Sequence, residues 1–313
     1  MTRRGTKLAV IGAGAVGTSI AYAALIRGSA NEVVLYDIAK AKVEAEVLDL
    51  AHGTHFTKSA ITGGDDLAVL ADSDIVVVTA GAKQQPGQTR LELAETNAGI
   101  LGKLLPRVVE LAPHAVIMLV TNPVDVLTVV AQEITGLPAG RVFGSGTLLD
   151  TSRLRWVLGR RLGVATESVH AHIVGEHGDT EFPLWSTATI GPVPLLEWRG
   201  ANPLTSTELD VIAAEVRDAA YRVIEGKGAT NYAIGLSAAR IVEAVLHDEK
   251  GIMPVSTVLS DYRGISGVAL SVPCIVGRDG PVPVMGTEFS FSEDQKLRAS
   301  AVAMRESLDS ISY

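Results

Sequence analysis

The chain carries one cysteine in 313 residues, and that scarcity excludes an internal disulfide. Cys274 sits in the apolar run Val272-Pro273-Cys274-Ile275-Val276, where a buried, inert thiol is expected rather than a nucleophile, in a reducing compartment. Positive charge is also short. Against 35 Asp and Glu there are 27 Lys and Arg, a formal net charge of −8, which argues against a nucleic-acid partner and its basic patch. No repeat, linker or low-complexity tract occurs, and no metal-binding pattern is expected. The uncharged stretch from Leu8 to Ile26 follows Arg3, Arg4 and Lys7 and has the outline of a signal peptide or membrane span. Glycines at 12, 14 and 17, and the lack of a polar cleavage-like region after it, favour a strand, a glycine turn and an apolar helix. A cytoplasmic chain with no membrane partner is the expectation.

What is present is a globular composition, 47% hydrophobic and 20% charged, with length enough for two domains. Strand-like runs fall at Lys7–Ile11, Glu32–Tyr36, Asp74–Thr79, Ala115–Val120 and Arg141–Phe143. Helical patterns lie between several of them, at Gly17–Ile26, Ala39–Leu50 and Leu91–Leu111. Unbroken Val/Ile runs alternating with helices imply βαβ units and a parallel sheet. Gly144-Ser145-Gly146 breaks the rhythm and marks a boundary between domains at 1–144 and 145–313. Beyond it, Thr205-x-x-Glu208 reads as a capping box opening a helix, which Gly226 and Gly228 interrupt. A second helical stretch reaches about Leu246. Strands follow around Val255–Leu259 and Val268–Val276, and Ser292-x-x-Gln295 caps a final helix.

Gly12-Ala13-Gly14-Ala15-Val16-Gly17 is a GxGxxG between a strand and a helix. Its glycines suit a tight turn, close approach to a pyrophosphate and close helix–strand packing. Asp37 ends the second strand, where a carboxylate can accept hydrogen bonds from an adenosine ribose and repel a 2′-phosphate, so NAD is favoured over NADP. The fold class expected is α/β: a Rossmann dinucleotide-binding domain with a parallel sheet, then a mixed α+β catalytic domain.

Candidate chemistry lies elsewhere. Gly175-Glu176-His177-Gly178-Asp179 holds a histidine between glycines after a Val169–Val174 strand. Asp150 and Arg153 stand one helical turn apart and share a face. A carboxylate fixes a histidine's tautomer and stabilises its cation for proton transfer near neutral pH, and an Arg fork grips a carboxylate bidentately. By spacing alone the Asp150/Arg153 pair is equally a helix-start ion pair. Asn122, in Val120-Thr121-Asn122-Pro123-Val124-Asp125, ends another strand, so its amide points to the binding face. The segment from Gly81 to Arg90, GAKQQPGQTR, follows the buried run Ile75–Val78 and suits a mobile loop with one planar cation, Arg90.

The GAGAVG turn, QQPGQTR, TNPVD, GSGTLLDTSR, GEHGDTE and KGATNY occur in order over nearly the whole chain. Together they resemble the L-lactate dehydrogenase family within the lactate/malate dehydrogenase superfamily. That resemblance implies reversible reduction of pyruvate to L-lactate by NADH in a cytoplasmic homotetramer. By matching position, His177 is the proton donor and acceptor and Asp150 orients it. Arg153 pairs with the substrate carboxylate, Arg90 polarises the ketone as the loop closes, Asn122 bonds near the same oxygen and Thr230 lines the pocket. Val16, Asp37, Lys42, Gly81, Ala82 and Ser145 match cofactor-contacting positions, with Gly12, Gly14, Gly17 and Asn122. Malate dehydrogenases carry arginine at the position of Gln84, where it pairs with a second carboxylate. A neutral amide cannot neutralise a desolvated carboxylate, at a cost of several kcal/mol, so lactate is favoured over malate, and the short loop weighs against larger 2-hydroxy acids. A dinucleotide-binding protein without turnover would lack the His/Asp/Arg set. Arg155 and His170 match positions that bind fructose 1,6-bisphosphate between subunits of allosteric bacterial members, which implies that compound as an activator.

Overall fold

The computed structural model describes residues 5–82, 89–200 and 203–311. Its first half alternates. Strands β1 (Lys7–Ile11), β2 (Glu32–Tyr36), β3 (Ala60–Gly64), β4 (Ile75–Val78), β5 (Val116–Leu119) and β6 (Val142–Gly144) pair in parallel. Among them run helices α1 (Ala15–Arg27), α2 (Lys40–His52), α3 (Arg90–Leu111) and α4 (Val124–Thr135). The apolar runs are unbroken because each strand feeds two cores. Leu8, Val10, Val33, Leu35, Ile75 and Val77 pack on one face of the sheet. Ala9, Ile11, Val34, Tyr36, Val76 and Val78 pack on the other, as alternation along a strand requires. The strand order β3-β2-β1-β4-β5-β6 reverses direction between β1 and β4, and open α/β sheets bind ligands beyond the carboxyl ends at such a reversal. Strand β3 escaped the sequence reading because it is an edge strand, partly exposed and ending in two glycines.

The second half contains α5 (Leu148–Leu162), short strands β7 (Val169–His170), β8 (Ile173–Val174), β9 (Phe182–Pro183), β10 (Thr189–Ile190) and β11 (Val193–Pro194), and helices α6 (Ser206–Lys227) and α7 (Tyr232–Leu246). Strands β12 (Gly251–Val258), β13 (Ala269–Gly277) and β14 (Gly280–Pro283) follow, then α8 (Phe291–Asp309). Strands β12, β13 and β14 extend the large sheet antiparallel beyond β6 through a bridge from Ser256 to Gly144. The expected Val169–Val174 strand is instead two pieces in different sheets, β7 beside β10 and β8 beside β9. Between them the Ala171 carbonyl is taken by Arg155 Nε at 3.0 Å rather than by a neighbouring strand.

The Thr205/Glu208 capping box is present. Gly226, expected to interrupt the helix, lies inside α6, which ends at Gly228 in the left-handed region (φ 82°). The final helix starts before the expected Ser292: Ser290 and Glu293 form the capping box. Glu293 is fixed there because it is buried and also accepts the Ser186 N–H at 3.0 Å.

Candidate active site

Two adjacent cavities open at the carboxyl ends of the parallel strands. Only three residues separate β1 from α1, so the chain must reverse tightly. Gly12 does this at φ 107°, where a Cβ would lie 2.7 Å from Thr79 Oγ1, and only glycine tolerates both. At Gly17 a Cβ would fall 1.8 Å from the Gly12 carbonyl oxygen, so α1 can cross this close to the turn only without a side chain. Gly14 differs: nothing lies within 4 Å of its Cβ position. It leaves an empty cradle at the amino end of α1, whose first turn carries no acidic residue, and unsatisfied N–H groups there suit a diphosphate. The Asp37 carboxylate follows β2 and is held by two backbone donors, Ala13 N–H on Oδ2 at 2.7 Å and Ala39 N–H on Oδ1 at 2.9 Å. Each oxygen keeps a lone pair for a ribose hydroxyl.

Gly12, Gly14, Val16, Gly17, Asp37, Lys42, Gly81, Ala82 and Asn122 line one cleft of about 800 Å3, and together they fit a dinucleotide. Ser145 does not join them: it is buried, with its N–H on the Leu119 carbonyl. Thr230 is half-buried on the α6–α7 connection, beside Ala229, which does line the cleft.

The second cavity, about 290 Å3, is lined by Asn122, Asp150, Arg153, His177 and Glu181 among others. Asn122 lines both cavities, so a molecule in the second meets the end of a cofactor in the first. Asn122 follows β5 and precedes α4 across a cis Asn122-Pro123 bond. Its carbonyl accepts from Asn97 Nδ2 at 2.9 Å, while Asn97 Oδ1 accepts the Ala82 N–H at 2.7 Å. Buried Asn97 thus ties the end of β4 to the end of β5.

His177 is aimed by a rigid frame. Thr147, at the start of α5, donates its hydroxyl to the Ile173 carbonyl at 2.6 Å, and Thr151 Oγ1 accepts the Ile173 N–H at 2.8 Å. These bonds lock α5 to β8. Gly175 exchanges two 2.9 Å backbone bonds with Ser271 of β13. The His177 N–H then donates to Asp125 Oδ2 at 2.6 Å, and its ring Nδ1 meets Asp150 Oδ2 at 2.8 Å. Among the described residues no hydrogen bond reaches Nε2, while the ring lines the cavity. Arg153 Nη1 contacts the other oxygen of Asp150 at 2.5 Å. The helix-start ion pair is therefore formed, and the same guanidinium still borders the cavity.

The electrostatics follow from burial and neighbours. Burial opposes an imidazolium at His177, but Asp150, and then Glu181, outweigh it and hold the ring well above its usual pKa. Burial likewise opposes the Asp150 carboxylate, and His177 with Arg153 overcomes it, so Asp150 lies below the usual range. The arrangement is a protonated imidazole clamped by an ionised aspartate, suited to giving and retaking a proton.

Gln84 and the Arg90 side chain lie outside the described residues. Arg155 and His170 are placed away from both cavities. His170 is exposed on β7, and Arg155 also meets His172 Nε2 at 3.2 Å through Nη2. Sequence reasoning missed Asp125, Asn97 and Glu181. Asp125 stood in the TNPVD motif, and Glu181 lies four residues after His177.

Residues 6–144 match the family model for the lactate/malate dehydrogenase NAD binding domain, and residues 147–312 match the lactate/malate dehydrogenase alpha/beta C-terminal domain. The chain belongs to the lactate/malate dehydrogenase family. The first match holds the glycine turn and Asp37; the second holds Asp150, Arg153 and His177. NAD is the cofactor. An L-lactate dehydrogenase of Bifidobacterium animalis subsp. lactis is 50% identical over 305 residues, 96% of this chain and 95% of that one. One from a Synechococcus is 45% identical over 311 residues, 98% of this chain and 100% of that one. Among solved structures, a lactate dehydrogenase from a Medee basin deep-sea metagenome library superposes with a TM-score of 0.95 at 38% identity, over 99% of this chain and 100% of that one. The minor L-lactate dehydrogenase of Enterococcus mundtii, in a ligand-bound form, gives 0.93 at 38% identity over 98% of each chain.

Proposed function

We propose that this family member is an NAD-dependent L-lactate dehydrogenase, interconverting pyruvate and L-lactate. The observation that carries the reading is the clamp on His177, with Asp150 on Nδ1 and the ring bordering a cavity that shares Asn122 with the cofactor cleft. Bound NADH supplies a hydride to the ketone carbon. His177 gives the ketone oxygen its proton and retakes it in the reverse direction, and Asp150 holds the ring in the required tautomer. Arg153 meets the substrate carboxylate, while Arg90 and Asn122 stabilise negative charge developing on the oxygen. Thr230 borders the substrate, and Gln84 reads the group beyond the ketone.

A division at 1–144 and 145–313 is supported by the pairing pattern: every parallel ladder lies before residue 145, and every antiparallel one joins strands after it, except the single bridge from β12 back to β6. Assembly into a homotetramer is supported by exposed Tyr22, Ile26, Tyr232 and Leu236, which line one cleft between α1 and α7, since large exposed apolar patches mark interfaces. A cytoplasmic setting agrees with the single buried Cys274. No helix among the described residues is long and apolar enough to cross a membrane. Activation by fructose 1,6-bisphosphate rests on Arg155 and His170. An NADH-oxidation assay with pyruvate, oxaloacetate and 2-ketoisocaproate in parallel, with and without the bisphosphate, tests the whole reading. Preference for oxaloacetate or 2-ketoisocaproate refutes the substrate, and superimposable curves with and without the bisphosphate refute the regulation.

A further inference from the structure

Glu181 lies at the end of the loop that carries His177, just before β9. Its N–H reaches back to the Gly178 carbonyl at 3.4 Å, which folds the loop so that residue 181 returns to the ring of residue 177. The carboxylate is buried, with 5% of the side chain exposed, and its Oε2 stands 3.7 Å from His177 Nδ1. The same ring nitrogen already bonds Asp150. Among the described residues this ring is the one cationic partner within 4 Å of the Glu181 carboxylate. A carboxylate with only a structural duty is expected to be tied to backbone or side-chain donors once it is buried. This one has the imidazole as its nearest cation instead.

We propose that Glu181 is a positioning residue for the proton of His177, a second carboxylate that keeps the imidazolium populated in the site. This assignment rests on His177 being the proton-transfer group. Asp150 and Arg153 already pair as anion and cation. That leaves His177 and Glu181 as the partners whose charges change. With the ring protonated and Glu181 ionised, the four groups sum to zero. Delivery of the proton to a substrate leaves the set at −1 in a buried place, which draws a proton back. Burial first, and then Asp150, raise Glu181 to about 7 against the pull of His177, so it titrates near neutral pH and the two groups lose protons in linked steps.

Other charged groups face the pair from every side. Asp125 comes from α4, Asp150 and Arg153 from α5, Glu176 and Asp179 from the loop, Arg217 and Tyr221 from α6, and Lys296 of α8 lies over the neighbouring Phe182 ring. All of them remain in a Glu181→Gln variant, which changes charge with little change of shape.

The test is kcat/KM for pyruvate against pH at saturating NADH, wild type against Glu181→Gln. Loss of one buried opposite charge should move the alkaline limb down by about one pH unit, opening a gap of about tenfold at high pH and little gap near pH 6. The acid limb of lactate oxidation should move the same way. A uniform loss at every pH, or an unmoved limb, overturns the proposal. A readout independent of turnover is carbethoxylation of His177 against pH, followed by mass spectrometry of its peptide. Its midpoint should fall in the variant, and an unchanged midpoint overturns the proposal. His177→Gln separates the two readings: retained turnover there refutes His177 as proton carrier, whatever Glu181 does.

Discussion

Replacing Asp125 by asparagine tests how the fold holds His177. Asp125 lies in the first turn of α4, 2% exposed, with Oδ2 accepting the His177 N–H at 2.6 Å. Its other oxygen and the Ser256 hydroxyl are buried without a hydrogen-bond partner among the described residues. Burial pushes the carboxyl from 3.8 up to about 6, although Ser256 and His177 favour the charged form. A carboxyl raised in the folded state holds its proton while the unfolded chain releases one. Stability is therefore greatest below the unfolded value and falls as pH rises through about 6. The full cost of ionised Asp125 is about 3 kcal/mol, of which about 2 kcal/mol develops between pH 4.5 and 7.5. Asparagine does not titrate, and its amide oxygen can still accept the His177 N–H.

The Asp125→Asn variant should therefore gain about 2 kcal/mol relative to wild type over that interval. Urea unfolding of both proteins at several pH values and one protein concentration measures this. Exchange of a charged acceptor for a neutral one costs the loop about 1 kcal/mol, so kcat should fall by no more than about tenfold. Parallel stability curves would refute the reasoning, because they would mean that Asp125 carries the same charge folded and unfolded throughout.

Gly14→Val should leave thermal stability almost unchanged, since open space surrounds the Cβ position, yet raise KM for NADH at least tenfold by filling the diphosphate cradle; a normal KM places the cofactor elsewhere. Gln84→Arg should raise catalytic efficiency with oxaloacetate by orders of magnitude and lower it with pyruvate, because a buried second carboxylate gains its counter-ion. Unchanged preference in the same NADH assay would show that residue 84 does not face the substrate.

What was legible in the sequence divides along a physical line. The glycine turn, the apolar strands and the Thr205/Glu208 box are local: a few residues dictate backbone shape or burial, and their spacing states it. Asp150 and His177 were legible only as two motifs, because nothing in either says that Thr147 and Thr151 clasp Ile173 and so bring α5 against the strand before the histidine. Asp125, Asn97 and Glu181 were harder still. Each is polar and buried, and its duty is to orient a group far from it in the chain or, for Glu181, across a turn whose closure no propensity announces. Arg153 was open to two readings, and the geometry keeps both, since one guanidinium meets Asp150 and borders the cavity at once. The erroneous boundaries have the same origin. Ser292 with Gln295 was the expected cap of α8; the box forms at Ser290 and Glu293, where Glu293 also accepts the N–H of Ser186, 107 residues away. Local chemistry thus writes the scaffold plainly, whereas the aim of the His177 ring is set by long-range hydrogen bonds to buried acids, where a single change of charge should be felt first as a change in pH dependence.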